Sequence, residues 1–228
     1  MKERVSNLVS PLRFRDFRLL WTAQVFSELG DWAGRLALAV LVAEQTGSTF
    51  LTALVTTVSV LPYVGIGQFV TTYANRFERR KVIVATDIGR AALFATLAIP
   101  MPVWLILVLA FVAGCLTPPF EGARNSLTVL TVPEERYGDA VALASMTFDM
   151  SVLFGYAAGG ALLTFVGARS ALLINALSFL ISAVLLSRIP AARNAPPDGP
   201  PVRVRDGWRA MVDDPFIRRF FIGYMYVG

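Results

Sequence analysis

Histidine is absent from the 228-residue sequence, and cysteine occurs once, as Cys115. Without histidine there is no Ser-His-Asp triad and no axial ligand for a haem. With one cysteine there is neither a Cys/His zinc site nor a disulfide framework. Most soluble-enzyme chemistry is thereby excluded, and no metal or cofactor is implied. Charge is scarce too: 16% of residues are Asp, Glu, Lys or Arg against 55% hydrophobic, and the mean hydropathy is +0.59. A soluble domain does not sustain that balance. The net charge of +5 does not point to nucleic acid, because no basic stripe interleaved with aromatics runs outside the loops between apolar tracts.

What the sequence has instead is long uncharged runs. No charged residue lies between Glu44 and Arg76, Arg90 and Glu121, Asp149 and Arg169, or Arg169 and Arg188. A bilayer core takes about 20 helical residues, so each gap holds one span or most of a tight pair. With the amphipathic stretch from Phe17 to Val42, the pattern predicts an all-α membrane protein with helices at 17–43, 50–73, 82–99, 102–122, 138–165 and 170–188, a six-helix bundle over residues 1–190. Thr46-Gly47-Ser48, Pro100-Met101-Pro102 and Gly167-Ala168 are the expected turns. Glu28, Asp31 and Arg35 inside the first stretch, with no small-residue cleavage site, argue against a cleaved signal peptide.

Eighteen of the 21 basic residues fall at the amino end, after the second and fourth helices, or in the tail, with Arg124 and Arg136 assigned to the loop after helix four. The positive-inside rule then puts both ends of the bundle in the cytoplasm. Pro196, Pro197, Pro200 and Pro201 mark a cytoplasmic linker over 191–214 that includes a short surface helix from Asp206 to Asp214. Residues 215–228 read as the start of a seventh span, because 13 or so residues at 1.5 Å each cover about 20 Å of a core about 30 Å thick.

Several motifs sharpen this outline. The run Tyr73-Ala74-Asn75-Arg76-Phe77-Glu78-Arg79-Arg80-Lys81 resembles the signature loop between helices two and three of the major facilitator superfamily, with Thr71, Tyr73, Asn75 and Glu78 at the places of its first glycine, leucine, aspartate and second glycine. Gly155-Tyr156-Ala157-Ala158-Gly159-Gly160 is similar to that superfamily's antiporter element, Tyr156 standing where proline is usual. Phe14-Arg15-Asp16-Phe17-Arg18-Leu19-Leu20-Trp21, then Gln24, Ser27 and Gly30-Asp31-Trp32, and also Leu172 to Phe179, are similar to the branch with enterobactin exporters and macrolide efflux pumps. The resemblance implies the amino-terminal half of a twelve-helix transporter, built of two inverted three-helix repeats and set in the bacterial inner membrane. Gly67 and Arg76, then Gly160 and Arg169, share a spacing of nine that echoes such a repeat.

Candidate functional residues are the charges that interrupt the apolar runs. Gln24, Glu28, Asp31 and Arg35 share one helical stripe, and the two acids lie near mid-bilayer, where an unpaired charge costs several kcal/mol. Two readings stand: a water-filled cavity in which one acid takes a proton or cationic substrate while Arg35 holds the other ionised, or an ion pair that only locks the helix. Asp149, with no opposite charge within a turn, needs a partner from another helix, Arg35 or Arg90; Asp87 and Arg90, three apart, are alternatively a self-satisfied pair. Arg76, Arg79, Arg80 and Lys81 serve topology and anionic lipid; by resemblance the loop is also a gating latch that includes Asp87 and Arg90, Asn75 capping a helix of the other half and the arginines binding acids near the ends of helices three and four. Gly155, Gly159 and Gly160 have small-residue spacing for close helix packing. Pro62, Pro118 and Pro119 bend or end helices, and Cys115 is a buried small side chain.

The expected partners are membrane lipid, a small-molecule substrate, protons, and a second six-helix bundle supplied by continuation of the chain, a second copy or a separate polypeptide. Proton-driven export of a drug-like, macrolide-like or siderophore compound is one expectation. A transport-incompetent fragment or membrane scaffold, its acids used for packing, is the other.

Overall fold

The computed structural model describes residues 8–64, 66–74 and 76–190. The expected linker at 191–214 and the start of a seventh helix at 215–228 lie outside the described residues. After a 3-10 turn (Ser10–Arg13), the chain forms α1 (Arg15–Thr46), α2 (Thr49–Val60), α3 (Ile66–Ala74), α4 (Arg79–Leu97), α5 (Val103–Cys115), α6 (Thr117–Thr131) and α7 (Glu134–Ser187). All the regular structure among the described residues is helical.

The turns sit where turn chemistry demands them. Gly47 closes α1 in the left-handed region (φ 62°), its N–H reaching Ala43 O at 2.8 Å, and the Ser48 hydroxyl accepts the Leu51 N–H to start α2. Pro102 precedes α5, and Pro133 precedes α7. Within α7 the backbone breaks at Gly167 (φ 74°, ψ 168°), dividing it into limbs 134–166 and 168–187. A side chain there would be strained, which is why the chain reverses at a glycine.

Two helices differ from expectation. The stretch 50–73 is interrupted by a 3-10 turn (Leu61–Val64), because Pro62 has no N–H to donate and its ring crowds the preceding turn. The stretch 102–122 runs on to Thr131, because Pro118 and Pro119 occupy the first turn of α6, where proline starts a helix instead of ending one. Val103–Thr131 and Glu134–Ser187 are long and apolar enough to cross a bilayer.

α1 is packed against both limbs of α7 through glycines. A Cβ on Gly155 would stand 2.6 Å from the Trp32 Cβ, and one on Gly159 2.9 Å from the Ala33 Cα; a Cβ on Gly30 would stand 2.8 Å from Asn175 Oδ1, and one on Gly34 would collide with the Asn175 amide. Gly160 differs from expectation: nothing lies within 4 Å of its Cβ position, so it takes no part in this packing. Buried apolar side chains form two main clusters. One gathers Leu38, Leu41, Phe94, Leu97, Ile106 and Phe179; the other gathers Leu20, Ile83, Phe120, Leu127, Leu186 and Ile189. On α1 and α4 the charged residues 28–35 and 87–90 fall between the positions that feed these two clusters, so the charges form a belt between apolar layers. Large apolar side chains also cover the outside, with Phe165 86% and Phe50 73% exposed, a surface suited to lipid and not to water. Cys115 is half-buried, at the end of α5, and not fully enclosed as its apolar neighbours implied.

Candidate functional site

The polar stripe of α1 is held together by a carboxylate that collects two donors, one from its own helix and one from α6. Glu28 Oε1 accepts from Gln24 Nε2 at 2.9 Å, one turn back, and from Arg124 Nη1 at 2.6 Å, which arrives from α6. The same Gln24 amide donates to the Ala144 carbonyl of α7 at 3.1 Å, tying the stripe to a third helix. Both Glu28 and Arg124 are largely withdrawn from solvent. A guanidinium presents its donors in a rigid fork, so it orients the carboxylate as well as neutralising it.

One turn on, Arg35 Nε donates to Asp31 Oδ2 at 3.0 Å, and the guanidinium lies over the Trp32 ring, 5.0 Å from its centroid. Trp32 is part of an aromatic wall, with Phe148 edge-on at 6.0 Å and Tyr156 tilted at 5.3 Å. Arg35 therefore spends its charge on an acid of its own helix and on an aromatic face.

The third pair is the most enclosed. Asp87 and Arg90 of α4 are 0% and 3% exposed and paired with each other, and the Arg90 guanidinium is held between the rings of Phe120 (4.2 Å) and Phe179 (4.4 Å). This is the self-satisfied pair that the three-residue spacing allowed, and the two rings explain its tolerance of burial: each supplies a negative face to the delocalised cation.

These groups surround a cavity of about 510 Å³ faced by Glu28, Asp31, Arg35, Arg90 and Arg124 with Trp32 and Phe148 among its walls. A second cavity of about 480 Å³ lies between α6 and the first limb of α7 and is faced by Asp149, Tyr137, Thr128 and Ser145. Arg124 and Phe148 line both. The aromatic walls and converging charges suit an amphipathic organic molecule, the usual makeup of a small-molecule site.

Two expectations are corrected by this geometry. Asp149 meets neither Arg35 nor Arg90, because each of those arginines is engaged by an acid of its own helix; Asp149 is exposed, in the second cavity, with no ion pair among the described residues. Arg124 is not a loop residue. It sits inside α6 and reaches the central cavity, so it leaves the group of basic residues assigned to the loop after helix four, and Arg136 lies in the first turn of α7. Sequence reading also missed Asn175, a buried side chain against which Gly30 and Gly34 pack.

The loop between α3 and α4 shows local ties. Asn75 lies outside the described residues. Arg76 stands over the Tyr73 ring at 5.6 Å, Lys81 pairs with Glu78 at 3.0 Å, and Arg79 opens α4. Arg80 Nη1 donates to the Ile189 carbonyl at 2.6 Å, so this arginine goes to the carbonyl end of α7 and not to an acid near helices three and four. A cation there is favoured by the helix dipole.

The family described as "transmembrane secretion effector" matches residues 6–219. The chain belongs to the major facilitator superfamily. Within that superfamily it is 32% identical over 172 residues to the uncharacterized MFS-type transporter YfiS of Bacillus subtilis (strain 168), covering 75% of this chain and 41% of the relative. It is 24% identical over 181 residues to macrolide efflux protein A of Streptococcus pyogenes (76% and 45%) and 28% identical over 151 residues to multidrug resistance protein MdtH of Salmonella arizonae (66% and 36%). The chain thus spans less than half the length of these relatives. As a major facilitator protein it is a membrane protein, and the apolar exterior and the charged belt between apolar layers have their reason in the bilayer.

Proposed function

We propose that the chain forms the amino-terminal six-helix bundle of a proton-coupled exporter of amphipathic compounds, drug-like, macrolide-like or siderophore, in the bacterial inner membrane. In this reading α1, the α2–α3 stretch, α4, the α5–α6 stretch and the two limbs of α7 are the six spans, arranged as two inverted repeats with both ends cytoplasmic. Transport proceeds by rocking of this bundle against a second one, from the same chain's continuation, a second copy or a partner polypeptide.

The observation that carries the reading is the central cavity, where two mid-helix acids of α1 meet arginines beside an aromatic wall. Intramembrane acids are expensive, and acids that face a cavity instead of lipid mark a substrate or ion path. Glu28 and Asp31 exchange protons and face the substrate, Arg124 and Arg35 hold them ionised between turnovers, Trp32 and Phe148 take up apolar area, and Asp149 supplies a further acid. Gly155 and Gly159 let α1 and α7 approach, while Asp87–Arg90, enclosed by Phe120 and Phe179, serves packing. That last pair is what the scaffold reading has in its favour, and it concerns α4 alone.

A variant keeping Trp32 as its only tryptophan, with Trp21, Trp104 and Trp208 replaced by Phe, tests the cavity in nanodiscs. An amphipathic cationic dye should quench its fluorescence saturably, and Glu28→Gln with Asp31→Asn should weaken that binding about tenfold or more. Unsaturable quenching, unchanged in the double variant, would remove the cavity from the account.

A further inference from the structure

Arg124 is the one arginine that faces both cavities, and the acids available to it differ sharply. Toward the central cavity it is bound to Glu28 at 2.6 Å; toward the second it shares a chamber with Asp149, an acid without an ion pair among the described residues. Phe148, the residue just before Asp149, lines both cavities as Arg124 does.

We infer that Arg124 is a two-position switch that exchanges Glu28 of α1 for Asp149 of α7, and that the exchange moves the wall between the two cavities. The inference rests on the proposed transport reading and adds to it a residue and a direction: when Glu28 loses its charge, by proton or by substrate, Arg124 turns to the remaining acid and the central cavity opens toward the second cavity. The surroundings permit this. Glu28 meets Gln24 on its own helix and Glu121 and Arg124 from α6, and it shares the cavity with Asp31, Arg35 and Arg90; Arg35 and Arg90 are paired with Asp31 and Asp87, so Arg124 supplies the cation that holds Glu28. Asp149 shares its chamber with the Thr128 and Ser145 hydroxyls, the Tyr137 phenol and the Asn125 amide, which hydrogen-bond a carboxylate but do not neutralise it, leaving Arg124 as the chamber's cation. A guanidinium on a long flexible stem keeps its charge wherever it points, so the choice between two acids is set by their charges.

The test is a set of thermal melts on the full 228-residue chain in nanodiscs. With Glu28 intact, Asp149→Asn should shift the melting temperature by less than about 1 °C, because Asp149 has no partner to lose. In the Glu28→Gln background the same substitution should cost about 3–6 °C more, and in an Arg124→Gln background that extra cost should vanish. Glu28→Ala, which removes the charge without leaving an amide in its place, serves as the release variant if Glu28→Gln folds poorly, and should shift the cost of Asp149→Asn in the same direction. An Asp149→Asn effect that is the same in all backgrounds would overturn the switch while leaving the cavity reading untouched, since dye binding to Trp32 is measured separately.

Discussion

Arg124 and Glu28, ninety-six residues apart in sequence, meet at 2.6 Å between α6 and α1 in a setting largely closed to solvent. Breaking such a pair from one side leaves a charge without its counterion, whereas removing both ends leaves none. Arg124→Leu should therefore destabilise the chain by about 2 kcal/mol, and Arg124→Leu with Glu28→Leu should recover much of that loss. Thermal melts of the single and double variants in lipid nanodiscs give the answer. Additive losses would mean that the two side chains do not depend on one another.

The two rings around Arg90 lead to a different expectation. Lysine keeps the charge opposite Asp87 but has no planar face to lie between Phe120 and Phe179. Arg90→Lys should cost about 1–3 kcal/mol, while Arg136→Lys, at a pair that is 43% and 29% exposed, should be within about 0.5 kcal/mol of the parent. Equal costs at the two positions would contradict the sandwich as the reason for burial.

Among the glycines the contacts separate positions that look alike in the sequence. Gly159→Ala drives a methyl against the Ala33 backbone, which cannot give way without moving α1, and should lower stability by about 1–3 kcal/mol. Gly160→Ala, with open space at its Cβ, should change it by less than about 0.5 kcal/mol. Similar losses at both would mean that Gly160 also faces a helix.

Which parts were readable beforehand follows from the kind of signal each leaves. The turns at Gly47 and Gly167 were legible because a left-handed backbone has to be glycine in practice, and the stripe from Gln24 to Arg35 because helical spacing alone puts it on one face. Arg124 was not, since Pro118 and Pro119 look like a helix end when they are its first turn, and a charge beyond an apparent end reads as a loop charge. The partner of Asp149 was misjudged for a related reason. A mid-helix acid calls for a counterion, but its sequence cannot say that Arg35 and Arg90 are already taken within their own helices. Asn175 against Gly34 left no sequence signal, because a lone asparagine in an apolar helix has the same appearance whether it meets a glycine or a substrate.

The proposed orientation rests on where the basic residues cluster. Single cysteines replacing Arg79 and Gly47, in a Cys115→Ser background, should divide cleanly on treatment of intact cells with an impermeant thiol reagent: position 47 labelled, position 79 protected until the membrane is opened. Labelling at 79 with protection at 47 would invert the orientation.

The central claim is that the acids of α1 couple transport to protons, and proton-gradient-driven flux measures it most directly. In the assembled transporter, with this chain and its second bundle in proteoliposomes, Glu28→Gln and Asp31→Asn should each reduce pH-driven dye flux by about tenfold or more while membrane expression stays within about twofold of the parent. Full pH-dependent flux in both variants would contradict the account and leave Glu28 and Asp31 as packing residues.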